Sequence, residues 1–227
     1  MSTASHPVVA DFPLFAGQRL DRVEFHERYW LMPPGIKAEL IDGVVFMPSP
    51  LGVPHGRAHI PAVVWLSYFA ESTPGVEVLD NASTALGPKS EVQPDALLRI
   101  LPEFGGQTRE DGILFGAPEL VVEVSHSTKS VDLGPKLAAY EQAGVIEYVV
   151  RTLEPDEVRW HILRDGRLVA VPPDADGLYR SITFPGLWLD PQALLNRNTR
   201  RLREVVDLGL ATPEHAVFVA NLAARRT

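Results

Sequence analysis

Residues 118–148 read PELVVEVSHSTKSVDLGPKLAAYEQAGVIEY, and they restrict the fold more than any other stretch. From Leu120 to Ser125 the side chains alternate. Leu120, Val122 and Val124 point one way; Val121, Glu123 and Ser125 point the other. Glu123 thus sits in a valine-rich strand, where a carboxylate is costly unless something pairs with it. A polar loop follows over residues 126–131. The pattern then predicts a helix over Leu133–Ala143, with Asp132 as N-cap, Pro135 in the first turn and Gly144 just past the end. Leu133, Leu137 and Tyr140 form its apolar stripe. Lys136 lies beside that stripe, because i, i+3 and i, i+4 positions are neighbours on a helix. A second strand starts at Glu147. The unit is strand, helix, strand, with an acid on the first strand and a lysine on the helix that faces it.

A second acid lies upstream, in Val92-Gln93-Pro94-Asp95-Ala96-Leu97-Leu98, an apolar run read as part of a strand over Glu91–Ile100. Two carboxylates on adjacent strands with a lysine nearby can hold a divalent metal and position a water. The ordered set Pro94-Asp95, Glu123-Val124-Ser125, Lys136, Tyr140 and Gly144–Tyr148 resembles the Uma2 (DUF820) family of restriction-endonuclease-like proteins. That family belongs to the PD-(D/E)XK nuclease superfamily. Glu39-Leu40-Ile41-Asp42-Gly43, Met47-Pro48 and His55-Gly56-Arg57 fit the same pattern, so the resemblance spans roughly residues 20–190.

The resemblance implies an α/β fold with a restriction-endonuclease-like core, a mixed β-sheet flanked by α-helices. It implies hydrolysis of nucleic-acid phosphodiester bonds, with DNA the expected substrate. Asp95 and Glu123 would hold Mg2+ or Mn2+, a pairing that suits magnesium's preference for few carboxylates and several retained waters. Superfamily members carry a lysine two residues after the acid, where this chain has Ser125. Lys136 on the following helix matches the family's replacement, and Lys129 in the loop is a second candidate. Glu39 matches the family's first acid; its plain alternative is a strand-end surface charge. His55 matches a family histidine, which implies substrate contact or proton transfer; its plain alternative is a helix-start histidine. Ser125 is expected to hydrogen-bond Glu123 or a metal-bound water.

Several other constellations carry less. His55 and His59 have helical chelate spacing, but no glutamate completes HExxH and Pro61 disturbs the helix. Ser125 and His126 are sequence neighbours on a strand, point to opposite faces and cannot form a nucleophilic dyad. Tyr140 and Tyr148 read as core aromatics with hydrogen-bonded hydroxyls. Arg197, Arg200, Arg201 and Arg203 form a basic run that reads as a solvated helix face.

The chain has 227 residues, 45% of them hydrophobic, enough for one substantial core. It has no cysteine, which removes disulfides and thiolate metal sites. No apolar run approaches the roughly 20 residues needed to span a bilayer. MSTASHPVVADF does not read as a signal peptide, so a cytoplasmic location is expected. The formal net charge of −8 runs against the basic footprint of most nucleic-acid binders.

Residues 1–20 read as an extended arm, 21–190 as the nuclease-like domain and 191–227 as a helical extension. Asp21–Met32 has helical spacing at Phe25, Tyr29 and Met32, with Val23 and Trp30 repeating the step beside them. Asp42-Gly43 and Asp165-Gly166 mark hairpins. His55–Ala70 reads as a helix that starts late or kinks at Pro61. Val76–Leu86 reads as one interrupted strand, residues 102–116 as a Gly-rich loop, Leu178–Phe184 as a strand, and Thr212-Pro213 as a helix start. The apolar hairpin over Val158–Val171 needs its edge covered, which points to a homodimer. Two rivals remain: an inert module that keeps the fold and binds DNA or a partner, and a hydrolase of smaller phosphoesters.

Overall fold

The computed structural model describes residues 13–49, 52–126 and 128–226. The first half runs α1 (Arg22–Trp30), β1 (Glu39–Ile41), β2 (Val44–Phe46), α2 (Val53–Glu71), β3 (Val76–Asp80), β4 (Thr84–Gly87), β5 (Ser90–Val92) and β6 (Ala96–Ile100). Then come β7 (Arg109–Asp111), β8 (Ile113–Phe115), β9 (Leu120–Ser125), α3 (Lys129–Asp132), α4 (Pro135–Ala143) and β10 (Glu147–Leu153). The chain closes with β11 (Asp156–Arg164), β12 (Arg167–Val171), β13 (Tyr179–Arg180), β14 (Trp188–Leu189), α5 (Pro191–Leu195), α6 (Thr199–Leu210) and α7 (Pro213–Arg225).

Two six-stranded sheets, ordered β2-β1-β5-β4-β8-β7 and β12-β11-β10-β9-β6-β3, carry most of the fold. β9 and β10 are parallel, as a strand–helix–strand crossover requires, and the remaining pairs of their sheet are antiparallel. Every residue of β9 is buried. Leu120 and Val122 pack into a core with α2 and the C-terminal helices, and Val121 packs with Tyr140 and Tyr148 on the other face. A strand covered on both sides reads as a near-continuous apolar run, which is why Glu123 stands out in it. α4 contacts β1 and β4 of one sheet and β12 of the other, so Lys136 and Tyr140 sit between the sheets.

The fold is the expected α/β architecture, with several local corrections. Gln93-Pro94-Asp95 is a break, not strand interior: β5 belongs to one sheet and β6 to the other. Proline lacks the N–H that a continuous ladder needs, and the chain changes sheet there. The stretch Val76–Leu86 splits in the same way, with Asn81 at φ 51° between β3 and β4. Residues 102–116 are not a plain loop: they carry a 3-10 turn and the β7–β8 hairpin. Only Tyr179–Arg180 of the stretch Leu178–Phe184 is strand.

α2 runs unbroken from Val53 through Pro61, which is buried. Residues 1–12 of the expected arm lie outside the described residues. Residues 13–20 pack against the β1–β2 hairpin, with Leu14 buried and Gly17 N–H bonded to Val45 O at 2.8 Å. Asp42 and Gly43, at φ 46° and 77°, and Asp165 and Gly166, at φ 49° and 76°, make the two tight hairpin turns as expected. Thr212 caps α7 through the His215 N–H. Among the described residues no helix is long and apolar enough to cross a membrane.

Candidate active site

One cleft of about 70 Å³ is lined by Glu39, His55, Asp95, Glu123, Asp132 and Lys136, with Lys37 and His126 at its rim. Five chain segments meet there. Ala96 pairs with Val122, which puts Asp95 and Glu123 one step further along the same antiparallel ladder. Both acids open on the same cleft.

Each of three acids is aimed by two donors on one oxygen. Asp95 Oδ2 accepts from the Val124 N–H at 2.8 Å and from His55 Nε2 at 3.2 Å. Glu123 Oε1 accepts from Tyr140 Oη at 2.8 Å and lies 2.8 Å from Lys136 Nζ. Glu39 Oε1 accepts from the Gln93 N–H at 2.6 Å and from Lys136 Nζ at 2.9 Å. The second oxygen of each carboxylate has no hydrogen-bond partner among the described residues.

The electrostatics follow from crowding. Lys136 is 3% exposed. Burial pushes its ammonium down, but Glu123, Glu39 and Asp132 overrule that and raise it above the ordinary lysine value. Lys136 is a fixed cation. Burial also dominates Glu123 and, with the nearby Asp95, Asp132 and Glu39 charges, outweighs Lys136 and lifts the carboxyl to about 8. Burial opposes ionisation of Asp95 too, but the His55 hydrogen bond, the Val124 N–H and the Lys136 charge hold it at about 2. Asp132 is raised by burial. Four acids face one buried lysine, and burial together with this crowding makes Glu123 hold its proton more readily than a free carboxyl.

The candidate residues are not all placed alike. Glu39 is a buried, ion-paired cleft acid, not a strand-end surface charge. Ser125 is fully buried and lies outside the cleft lining; its Oγ makes no hydrogen bond to Glu123, the first of its two expected partners, and it is the Asp132 carboxyl that it helps to stabilise. Lys129 points away: its Nζ lies 3.5 Å from Glu154 O and 3.9 Å from Glu157 Oε1. His59 turns to Asp95 O at 2.8 Å and to Asp80 at 3.0 Å, and so does not chelate with His55. Asp132 does not cap the long helix. It ends α3, accepts from Thr128 Oγ1 at 2.6 Å and lines the cleft, while Gly134 precedes α4. No helical spacing signals this, because Asp132 and Lys136 lie on separate helices with the break at Gly134 between them. Tyr148 Oη donates to Asp132 O at 3.0 Å, the hydrogen-bonded core role expected of it.

Compared with known families, residues 22–192 match the Uma2 model, described as "Putative restriction endonuclease". The chain belongs to the Uma2 family. Among solved structures, this Uma2 protein is similar to one described as a putative nuclease belonging to DUF820 from Anabaena variabilis ATCC 29413. The TM-score is 0.52 at 14% identity, covering 79% of this chain and 97% of that one. That likeness concerns the fold, which is the restriction-endonuclease-like α/β fold. No curated protein matches the chain.

The Uma2 cleft can be tested for metal by its donors. Among the described residues no three His, Asp or Glu side chains are placed so that they could hold a metal ion together. Asp95 and Glu123 each offer one unengaged oxygen, a set that suits an ion keeping several of its own waters. These residues fit magnesium or manganese and do not fit a structural zinc, which takes four protein ligands.

Proposed function

We propose that this protein is a metal-dependent endonuclease acting on DNA, with its reacting centre in the acid cleft. The carrying observation is that Asp95, Glu123 and Glu39 line one cavity, and that each has one oxygen clamped by two donors while the other meets no hydrogen-bond partner among the described residues. Carboxylates that serve only packing are satisfied on both oxygens where they can be. Asp95 and Glu123 would hold Mg2+ or Mn2+, which when bound activates water and neutralises charge on phosphate.

The chain's own groups do the rest. His55 and the Val124 N–H keep Asp95 ionised and aimed. Tyr140 fixes the rotamer of Glu123. Lys136, a permanent cation held by Glu39 and Glu123, supplies positive charge against the charge that grows on a transferring phosphate. Glu39 positions Lys136. Lys37, whose Nζ donates to Asn81 Oδ1 at 3.1 Å and to Gln93 O at 3.3 Å, is the cleft's other cation and would meet the strand's phosphates. We propose a cytoplasmic homodimer, paired through the outer edge of β12, where Val169 is 44% exposed. Light scattering that reports a monomer at micromolar concentration removes that part.

The test is calorimetric titration with Mn2+ alongside plasmid cleavage. Binding and cleavage are expected in the parent and lost in Asp95→Asn and Glu123→Gln. The depth of Lys136 favours one rival, an inert module in which the Glu39–Lys136–Glu123 cluster only orders the core. A folded parent that binds neither ion above the level of Asp95→Asn establishes the rival.

A further inference from the structure

A second cavity, of about 380 Å³, opens beside the acid cleft between α1, the Pro33–Ile36 turn and β5. One wall of it is Trp30, which is 71% exposed. Trp65 and Trp160 are fully buried, and Trp188 is half-buried beneath the Arg180 guanidinium. An exposed tryptophan needs an explanation only when it is held, and this one is held. Trp30 Nε1 donates to His26 Nε2 at 2.7 Å, which leaves the His26 proton on Nδ1, 2.9 Å from Glu91 Oε1. Glu91 is 3% exposed, so the chain of contacts ends on a buried anchor. The side chain is therefore ordered before any ligand arrives, and little entropy remains to be lost on binding.

The cavity is also wired to the cleft. Tyr29 Oη accepts from Gln93 Nε2 at 2.8 Å, and the Gln93 N–H is one of the two donors that clamp Glu39. Gln93 lines the cavity and is two residues from Asp95, about 7 Å along an extended chain. That is the reach of about two stacked nucleotides. The acid cleft, at about 70 Å³, takes an ion and a water or two but no base. The neighbouring cavity is large enough for a base and offers an indole face with Glu91, Ser83 and Gln93 as polar edge partners. Stacking is a neutral interaction, and so suits a protein of net charge −8.

We propose that this cavity is a stacking site for an unpaired nucleobase of a single-stranded or locally opened nucleic acid, with Trp30 as its platform. The proposal rests on the nucleic-acid reading of the cleft and not on cleavage. It is tested without metal, in EDTA, by fluorescence anisotropy of an end-labelled single-stranded oligonucleotide and of an abasic strand of equal length, with a nucleoside monophosphate as competitor. Trp30→Ala is expected to weaken oligonucleotide binding roughly 5- to 100-fold. Trp30→Phe restores most of it. The abasic strand binds parent and Trp30→Ala alike, because only phosphate contacts remain.

Equal oligonucleotide affinity in the parent and Trp30→Ala overturns the proposal. So does a parent that binds no oligonucleotide, or one that binds the monophosphate as tightly as the strand. A parent that binds the strand through Trp30 but cleaves nothing with Mg2+ or Mn2+ defeats the nuclease reading and leaves this one standing.

Discussion

Lys136 separates stability from chemistry at a single residue. It was legible in sequence as a lysine beside an apolar stripe; its depth was not, because helical spacing allows a lysine there to snorkel to solvent. In place, it bridges Glu39 at 2.9 Å and Glu123 at 2.8 Å. Lys136→Met is therefore expected to remove two to three orders of magnitude from any cleavage rate. It also leaves two buried carboxylates without their cation, at a cost of about 3–5 kcal/mol. Adding Glu39→Gln should recover part of the stability and none of the rate. Guanidinium melts beside cleavage rates check both halves, and a double variant that regains activity refutes the assignment. The acids give a pH profile. Asp95 is held at about 2, below its ordinary 3.8. A lowered carboxyl stabilises the fold above its unfolded value, and that contribution, about 2 kcal/mol, is lost as pH falls from about 4 toward 2. Glu123 acts with the opposite sign. Raised from 4.5 to about 8, it stabilises fully below 4.5 and the contribution fades as pH rises through 8. Denaturation at pH 2.5, 4.5 and 8 should show a maximum at the middle value. Glu123→Gln should flatten the alkaline side, and Asp95→Asn the acid side; a parent that keeps gaining stability up to pH 8 contradicts the Glu123 assignment.

The element that aims the cleft is α4, and its start is set by Gly134. A Cβ built there would lie 2.5 Å from Ser130 O, a backbone atom that cannot turn aside. Gly134→Ala should shift α4 and cost about 1–3 kcal/mol. Lys136 and Tyr140 move with the helix, so Mn2+ affinity should fall along with the melting midpoint. Unchanged affinity in a destabilised Gly134→Ala protein shows that α4 does not position the site. This start was misread in sequence because Asp132 is a good N-cap residue and Pro135 a good first-turn residue, and both fit a helix begun at Leu133. Tertiary context decided otherwise: a buried acid beside Lys136 is worth more to the cleft than a cap is to a helix. The strands split along the same line. β9 and β10 were legible because an apolar run with one carboxylate leaves few alternatives. The passage of the chain from one sheet to the other at Gln93–Asp95 was not, since local pattern shows that a run is extended and not which sheet it joins. The hairpin turns at Asp42-Gly43 and Asp165-Gly166 were legible because the left-handed φ values they need select those residues. Trp30 was read as part of a helical stripe; only the folded chain shows that α1 turns it outward to a cavity.

At the scale of the whole molecule, the charge distribution limits how this protein can hold a polyanion. The net charge is −8. Two lysines line the acid cleft, Lys37 and Lys136, and Lys136 is already paired twice within the protein. At the start of α6 Arg201 is already engaged by Asp190 at 3.1 Å and approaches Glu204 at 3.9 Å, which reduces what that run offers a phosphate. Counterion release then has few phosphates to work with. For a single strand, the logarithm of the binding constant falls with the logarithm of salt by about 0.7 per neutralised phosphate. With one or two phosphates met near Lys37, the expected slope is about −1, far shallower than that of a protein which tracks the backbone with a basic groove. Affinity that barely changes between low and moderate salt is what stacking on Trp30 predicts, since a neutral contact is not screened. Lys37→Met should flatten the slope further while Trp30→Ala lowers affinity at every salt concentration and leaves the slope alone. A slope steeper than about −4 in the parent would mean that a basic surface elsewhere carries the binding, most plainly one assembled across two copies of the chain.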